Sequence, residues 1–245
     1  MNKCGSEGYS SPHGITTILF DLDNTLIATR EADAAACLKV ASWLENRGMS
    51  TEKSLSITTD YLHKFRETPA PDYPTNQAGL DQWRYDIWVS VLPPEYEHLD
   101  SVYSVWKRER LSHLYLKPCV RQLLDDLGVH FTIGIVTNGP SVAQWEKVKE
   151  TGVRKFCDSV VISGDYEVEK PDKAIFDIAF AELQVKPCEC VMVGDKIESD
   201  ILGGKNAGVK MTVWLNGRGK VAPNDVLPDF TIDHIKELRA VLFKS

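Results

Sequence analysis

Residues 18–29 read ILFDLDNTLIAT, an apolar run that ends in two aspartates, Asp21 and Asp23. A carboxylate beside a buried run is costly unless another group compensates its charge. The two aspartates are separated by one residue, so in an extended chain they would point to the same side and repel each other. The pair therefore predicts a cation at the end of this strand.

Four further apolar runs occur in the second half of the chain, and each ends in a polar or glycine-containing turn. They are FTIGIVTNG (131–139), SVVISGD (159–165), ECVMVGD (189–195) and KMTVWLNG (210–217). Segments with helical periodicity lie between them, and several end at a glycine. Apolar strands that alternate with helices are typical of a parallel sheet covered on both faces. The prediction is a doubly wound, Rossmann-like α/β core, in which ligands bind beyond the carboxyl ends of the strands.

The stretch between the first and second apolar runs has a different character. Residues 30–116 contain no strand-like run but several helical patterns, which are interrupted by TPAPDYP at 68–74. This stretch predicts an all-helical cap domain inserted into the core, which would comprise residues 15–29 and 117–245. Residues 1–14 are rich in small polar side chains and are predicted to form a flexible tail.

Composition narrows the classes of function. The chain has 245 residues, 43% of them hydrophobic, and a formal net charge of -7. Because no long Lys/Arg block accompanies this charge, a nucleic-acid binder is not expected. The chain shows neither an apolar stretch of the roughly 20 residues that a membrane span needs nor a secretory signal, and its six cysteines lack CxxC spacing. We therefore expect a cytoplasmic protein with reduced thiols and no membrane partner, and we expect it to be a monomer.

The predicted strand ends supply polar side chains that this architecture would bring together. In chain order they are Asp21, Asp23, Thr137, Asn138, Lys170, Asp195 and Asp200. Several carboxylates with few histidines or cysteines suit an ion that prefers oxygen ligands, such as Mg²⁺, better than zinc. Such an ion would also compensate the charges of Asp21 and Asp195. Each residue taken singly is compatible with a turn or a helix cap, but their joint order at strand ends favours a site.

The order DLDNT, TNG, KP and GDxxxxD, with an insertion after the first of these, resembles the haloacid dehalogenase superfamily and, within it, the Mg²⁺-dependent phosphatases. Longer segments resemble the vertebrate N-acylneuraminate-9-phosphatase family, among them VWKRERLSH, EKPDKAIF, CVMVGDKIESDILGGKNAGVK and TVWLNGRG. This resemblance covers most of the chain and is weakest in the amino-terminal tail and at residues 68–82. It implies a Mg²⁺-dependent hydrolase for a small phosphorylated sugar, with N-acylneuraminate 9-phosphate as the expected substrate.

The resemblance also implies a role for each polar residue. Asp21 would attack phosphorus and form an aspartyl-phosphate, while Asp23 would act first as general acid and then as general base. The dehalogenases of the superfamily lack this second acid, so its presence favours phosphoryl transfer. Mg²⁺ would be held by Asp21, the Asp23 carbonyl and Asp195, and Asp200 would orient Lys170 or a water. The groups expected to meet the phosphate are the catalytic Lys170 and the substrate-binding residues Thr25, Thr137 and Asn138.

Substrate choice must come from elsewhere, because these groups address only the phosphate. In the helix VWKRERLSHL, the cations Lys107, Arg110 and His113 are candidates for binding a sugar carboxylate. The alternative interpretation is that they form the solvated face of an amphipathic helix. A phosphatase for phosphoglycolate or a hexose phosphate, a phosphomutase and a non-catalytic sugar-phosphate binder stay open as alternatives.

Overall fold

The computed structural model of the protein describes residues 14–68, 76–221, 223 and 225–243. The predicted amino-terminal tail, apart from Gly14, lies outside the described residues. The same is true of the TPAPDYP segment after its first residue.

A six-stranded parallel sheet has the strand order β3-β2-β1-β4-β5-β6. The strands are β1 (Thr17–Phe20), β2 (Thr132–Thr137), β3 (Ser159–Ile162), β4 (Cys190–Gly194), β5 (Met211–Leu215) and β6 (Phe230–Ile232). The order changes direction between β1 and β4, which pair with Phe20 opposite Val193. Doubly wound sheets bind ligands at this switch point, beyond the carboxyl ends of the strands. The predicted doubly wound α/β fold is confirmed.

The apolar runs that were predicted to be strands form strands β1 to β5 of the sheet. All residues of β1 and β4 are buried, in agreement with their continuous apolar runs. Strand β6 was not predicted. Phe230 and Thr231 are exposed and only Ile232 is buried, so this edge strand lacks the apolar run that would have indicated it.

Nine α-helices occur in the described residues. They are α1 (Thr29–Glu45), α2 (Thr51–Glu67), α3 (Gln77–Val91), α4 (Leu99–His113), α5 (Pro118–Gly128), α6 (Ser141–Thr151), α7 (Lys173–Leu183), α8 (Leu202–Ala207) and α9 (Leu238–Leu242). Helices α1 to α4 follow β1, and no strand interrupts them in the residues described there. The inserted segment is therefore helical, as predicted.

The chain divides into two compact units. The α/β unit comprises Met1–Ile27, Leu116–Gly139 and Gly152–Ser245, and the helical unit comprises Ala28–Tyr115 and Pro140–Thr151. The borders at residues 27/28 and 115/116 lie within a few residues of the two ends of the predicted cap, 30 and 116. Helix α6, however, groups with the helical unit, although it lies in the part of the chain predicted to form the core. The physical reason is Glu146 on α6, whose carboxylate lies 2.7 Å from the Arg84 guanidinium on α3.

Aromatic side chains fill the interior of the helical unit. The ring of Tyr61 stacks on that of Trp88 with the centroids 3.7 Å apart, and Trp106 meets the Tyr61 ring edge-on at 5.3 Å. All three side chains are fully buried. Because each such side chain buries on the order of 150–250 Å², this cluster contributes much of the apolar area that packs α2, α3 and α4 together.

No helix in the described part of the chain combines the length and the apolar character that a membrane crossing requires. The five cysteines within the described residues are all free thiols, as predicted, and Cys4 lies outside those residues.

Candidate active site

Asp21 follows β1 directly, in a loop that is closed by main-chain hydrogen bonds. The Asn24 amide donates to the Ile27 carbonyl at 2.6 Å, and the Ile27 amide donates to the Leu22 carbonyl at 3.1 Å. Asn24 has a φ of 64°, a left-handed conformation that asparagine adopts more readily than most residues. The Asp21 amide donates to the Val193 carbonyl of the neighbouring strand at 2.9 Å. These bonds place the two aspartates of the loop at the switch point of the sheet.

Lys170 is buried, and its ammonium group donates three hydrogen bonds within the α/β unit. Nζ lies 2.8 Å from Asp21 Oδ1, 2.7 Å from Asp200 Oδ1 and 2.7 Å from the Val136 carbonyl oxygen. Burial opposes the charged form, but the charges of Asp200 and Asp21 outweigh it and hold the pKa of Lys170 above its ordinary value. Since an ammonium group has three donors, Lys170 is a fixed cation beside Asp21.

Both carboxylate oxygens of Asp21 have hydrogen-bond partners. Oδ1 accepts from Lys170, and Oδ2 accepts from the Thr25 hydroxyl at 3.2 Å. Burial raises the pKa of Asp21 to about 7 against the opposing charge of Lys170, and the charges of Asp200 and Asp23 push it in the same direction as burial. A further cation beside these carboxylates would lower this pKa and keep Asp21 ionised at neutral pH.

Asp195 and Asp200 reach the same place from the segment that follows β4. Carboxylate oxygens of Asp21, Asp195 and Asp200 all lie within 4.8 Å of one another, and all three residues are buried. The indole N–H of Trp214 donates to the Asp195 carbonyl at 3.1 Å, which fixes the main chain at this position. A buried group of carboxylates at this spacing fits a divalent cation that prefers oxygen ligands.

Asp200 lies on a single turn of π-helix, Ile197–Ile201. Its Oδ2 accepts from the Lys196 amide at 2.9 Å, and its Oδ1 accepts from the Ser199 hydroxyl at 3.1 Å. These bonds hold the carboxylate in place beside Lys170. Turns of π-helix occur frequently at functional sites.

Gly194 leaves the space in which the Asp200 side chain lies. A Cβ atom at Gly194 would be 2.2 Å from Asp200 Oδ2 and 2.4 Å from its Cβ and Cγ atoms. We expect Gly194→Ala to displace Asp200 from Lys170 and to lower the free energy of unfolding by about 1–3 kcal/mol. Chemical denaturation measures this loss, and a crystal structure of the variant measures the distance between Lys170 Nζ and Asp200 Oδ1.

Gly128→Ala is the matched control, because a Cβ atom there would meet only Ile133 Cδ1 at 3.9 Å. This control should unfold close to the wild-type denaturant concentration. An unchanged 2.7 Å contact together with wild-type stability in Gly194→Ala would contradict the prediction.

Thr137 and Asn138, predicted to bind phosphate, lie at the end of β2, next to β1. Thr137 is fully buried. The Asn138 carboxamide bonds to the main chain of Lys170. Asn138 Nδ2 donates to the Lys170 carbonyl at 2.8 Å, and Asn138 Oδ1 accepts from the Lys170 amide at 2.9 Å. The predicted site residues that the α/β unit brings together at its strand ends are Asp21, Asp23, Thr25, Thr137, Asn138, Lys170, Asp195 and Asp200.

The cations predicted to bind a sugar carboxylate, Lys107, Arg110 and His113, lie on α4 in the helical unit. Lys107 Nζ lies 2.6 Å from Asp81 Oδ2, and both side chains are 28% exposed. The His113 side chain is 42% exposed, and its Nδ1 lies 2.9 Å from a main-chain carbonyl oxygen of the same helix. A contact of these residues with substrate stays a prediction.

Arg110 is buried and carries internal ion pairs. Its Nε donates to Asp33 Oδ1 at 2.7 Å, and its Nη1 lies 3.6 Å from Glu146 Oε2. Glu146 also accepts two hydrogen bonds from Arg84, at 3.0 and 2.7 Å. Arg84 and Glu146 belong to no sequence motif and were not predicted as functional residues. Because its charge is compensated inside the unit, the geometry favours a structural role for Arg110 over the predicted substrate contact.

Comparison with known proteins agrees with this fold. The haloacid dehalogenase-like hydrolase family matches residues 18–214. The chain is 32% identical over 232 residues to the N-acylneuraminate-9-phosphatase of Mus musculus, covering 93% of this chain and 94% of the relative. It is 31% identical over 234 residues to a pyrimidine 5′-nucleotidase of Escherichia coli, covering 93% and 97%.

Among solved structures, a haloacid dehalogenase-type hydrolase of Bacillus subtilis bound to magnesium, YfnB, superposes with a TM-score of 0.66 at 24% identity, covering 93% of this chain and 98% of that one. The family match spans more than half of the chain, and the fold agrees with it. The chain therefore belongs to the haloacid dehalogenase-like hydrolase family.

Proposed function

We propose that the protein is a Mg²⁺-dependent phosphatase that hydrolyses a sugar phosphate monoester, with N-acylneuraminate 9-phosphate as the preferred substrate. The observation that carries this proposal is the geometry at Asp21. One carboxylate oxygen bonds to Lys170, the other bonds to Thr25, and the residue belongs to a group of three buried aspartates. Asp23, two residues further on, supplies the acid that phosphoryl transfer needs. The similarity to the mouse N-acylneuraminate-9-phosphatase supports the choice of sugar.

The proposed reaction has two steps. In the first, an Asp21 oxygen forms a bond to phosphorus, the ester P–O bond breaks, and protonated Asp23 gives its proton to the departing sugar oxygen. In the second, a water oxygen forms a bond to phosphorus, Asp23 takes the water's proton, and the bond to Asp21 breaks to release inorganic phosphate. Lys170, hydrogen-bonded to Asp21, offsets the negative charge at the nucleophile.

Asp21, Asp195 and the main-chain carbonyl of Asp23 are proposed to hold the metal. The Asp200 carboxylate already accepts hydrogen bonds from three donors, Lys170 among them, which favours it as a support behind the ligands. When bound, Mg²⁺ would neutralise part of the phosphate charge and hold the phosphate against the nucleophile. The Thr137 hydroxyl and main-chain amides are proposed as further donors to the phosphate oxygens.

We expect Mg²⁺ to raise the unfolding temperature of the wild-type protein, because a ligand that binds only the native state stabilises it, by about 2.7 kcal/mol at 100 times its Kd. Asp195→Asn should lose most of this shift. Differential scanning calorimetry with Mg²⁺ and with chelator measures the shift in the wild type and in Asp195→Asn.

Ca²⁺ should not support turnover, because it prefers more ligands and a looser geometry.

The control for the metal prediction is Asp126→Asn, since Asp126 pairs with the exposed Arg239 and does not belong to the group of three aspartates. It should keep the full Mg²⁺-dependent shift. The prediction is wrong if Asp195→Asn shifts as much as wild type, or if turnover in chelator equals turnover in Mg²⁺.

A panel of phosphate esters tests the proposed function. Inorganic phosphate release is measured with Mg²⁺ on N-acetylneuraminate 9-phosphate, a pyrimidine nucleoside monophosphate, phosphoglycolate and a hexose phosphate. We expect the highest kcat/KM on the first. The pyrimidine nucleotide is included because the Escherichia coli nucleotidase is almost as similar to this chain. Transfer of the phosphoryl group to sugar would identify a phosphomutase, and no turnover on any ester would favour a non-catalytic binder.

The residues that select the sugar are proposed to belong to the helical unit, with Lys107 and His113 as the more exposed candidates. We expect Lys107→Ala to raise KM for N-acetylneuraminate 9-phosphate about tenfold, equivalent to about 1.4 kcal/mol. KM for a small ester without a carboxylate, such as 4-nitrophenyl phosphate, should stay unchanged. Arg47→Ala removes another exposed cation of the helical unit and serves as the control. Equal losses on both esters would contradict a specific contact with the sugar carboxylate.

A further inference from the structure

Asn138 makes two hydrogen bonds to the main chain of a single residue. Its Nδ2 donates to the Lys170 carbonyl at 2.8 Å, and the Lys170 amide donates to its Oδ1 at 2.9 Å. A carboxamide offers both a donor and an acceptor, so it satisfies both main-chain groups of Lys170 at once. The two residues are 32 positions apart and follow different strands, β2 and β3. The contact therefore joins two strand ends.

The side chain of Lys170 is fixed by the same strand end. Its ammonium donates to the carbonyl of Val136, two residues before Asn138, as well as to Asp21 and Asp200. A lysine side chain is a flexible four-carbon stem, so the position of its ammonium depends on where the main chain is anchored. With the main chain and the ammonium both bonded to the end of β2, Lys170 has one defined position beside Asp21.

We propose that Asn138 is a positioning residue, which fixes the main chain of Lys170 and thereby keeps its ammonium on Asp21. This differs from the sequence-based expectation that Asn138 binds the phosphate. The contact with Lys170 uses its carbonyl oxygen and one of its two N–H donors. The inference rests on the proposed phosphatase function, in which Asp21 is the nucleophile.

Asn138→Leu tests the inference, because leucine has nearly the same size and makes neither hydrogen bond. We expect kcat to fall roughly 10- to 100-fold, since a displacement of about 1 Å at a catalytic group can cost about 10²-fold. KM and the inhibition constant of inorganic phosphate should stay close to the wild-type values. A role in phosphate binding would raise both of these constants and leave kcat nearly unchanged.

Asn206→Ala is the matched control. Asn206 Nδ2 donates to the Pro171 carbonyl at 3.2 Å, so it anchors the same loop one residue beyond Lys170. Its removal should leave kcat at the wild-type value. A similar fall of kcat in both variants would overturn the inference, because it would indicate that only general anchoring of the loop matters.

Crystal structures of both variants supply a readout that does not depend on turnover. The distance between Lys170 Nζ and Asp21 Oδ1, 2.8 Å in the wild type, should exceed about 3.5 Å in Asn138→Leu and persist in Asn206→Ala. If Asn138→Leu does not fold, Asn138→Asp replaces it, since it keeps the acceptor and loses the donor. A wild-type distance in the folded variant overturns the inference. Absence of turnover in the wild-type protein would instead overturn the proposed function, and the distance would still decide the role of Asn138.

Discussion

Asp21→Asn is expected to abolish turnover and to leave the protein folded. The substitution keeps the size of the side chain and an oxygen that can accept from Lys170, which lies 2.8 Å from Oδ1 in the wild type. It removes the negative charge that would attack phosphorus. Loss of a nucleophile in a covalent mechanism lowers kcat by on the order of 10⁴- to 10⁶-fold.

Steady-state release of inorganic phosphate measures the loss, and circular dichroism with thermal unfolding establishes that the variant is folded. Asp23→Asn is the informative comparison, because it keeps the nucleophile and removes the acid and base. With 4-nitrophenyl phosphate, whose leaving group departs without being protonated, rapidly quenched Asp23→Asn should therefore carry a phosphoryl group on Asp21 in mass spectra, whereas Asp21→Asn should carry none. A folded Asp21→Asn protein with turnover within about tenfold of wild type would exclude the covalent mechanism.

The second large effect is expected at the buried ion pairs of the helical unit. Glu146 accepts two hydrogen bonds from Arg84, at 3.0 and 2.7 Å, and lies 3.6 Å from the Arg110 guanidinium. The side chains of Arg84, Arg110 and Glu146 are at most 7% exposed. Glu146→Ala would leave buried cations without this partner, and we expect it to lower the free energy of unfolding by about 3–5 kcal/mol.

The pH dependence follows from the same contacts. Burial alone would raise the pKa of Glu146, but the hydrogen bonds and charge of Arg84 outweigh it and hold the pKa below its ordinary value of 4.5. A carboxylate whose pKa is lowered in the folded state stabilises the protein at pH values above the pKa that it has in the unfolded state. The contribution of Glu146 to the free energy of unfolding is therefore complete at neutral pH. It is lost as the pH falls below 4.5 and through the lowered pKa.

Urea denaturation followed by tryptophan fluorescence measures this prediction, because Trp88 and Trp106 lie in the core of the helical unit. Asp126→Ala is the control, since it breaks an ion pair in which the Arg239 side chain is 58% exposed. Surface pairs of this kind contribute about 0–1 kcal/mol. A loss in Glu146→Ala no larger than in the control would refute a structural role for the buried pairs.

Local patterns in the sequence were sufficient to predict most of the fold. Strands β1 and β4 are buried along their whole length, so their apolar runs carry the signal for a doubly covered parallel sheet. The helical insertion was predicted from periodicity and from the lack of such runs. Strand β6 could not be found in this way, because its three residues, of which only Ile232 is buried, do not form a continuous apolar run.

The polar residues of the candidate site were also accessible from the sequence, for a topological reason. Parallel strands end at the same edge of a sheet, so residues that follow β1 and β4, such as Asp21 and Asp195, meet whatever their separation along the chain. Residue type then indicates the chemistry, because clustered carboxylates suit a divalent cation.

Which polar atoms bond to which was decided only by the tertiary structure. Lys170 and Asp21 are 149 positions apart, and Arg84 and Glu146 are 62 apart, so no local pattern encodes either contact. A hydrogen bond depends on a few tenths of an ångström and on its angles, and these are set by how whole elements pack. The sequence by itself determined five of the six strands of the sheet and the polar residues that follow them. The packing of the elements decided that Asn138 bonds to the main chain of Lys170 and that the charge of Arg110 is compensated inside the helical unit.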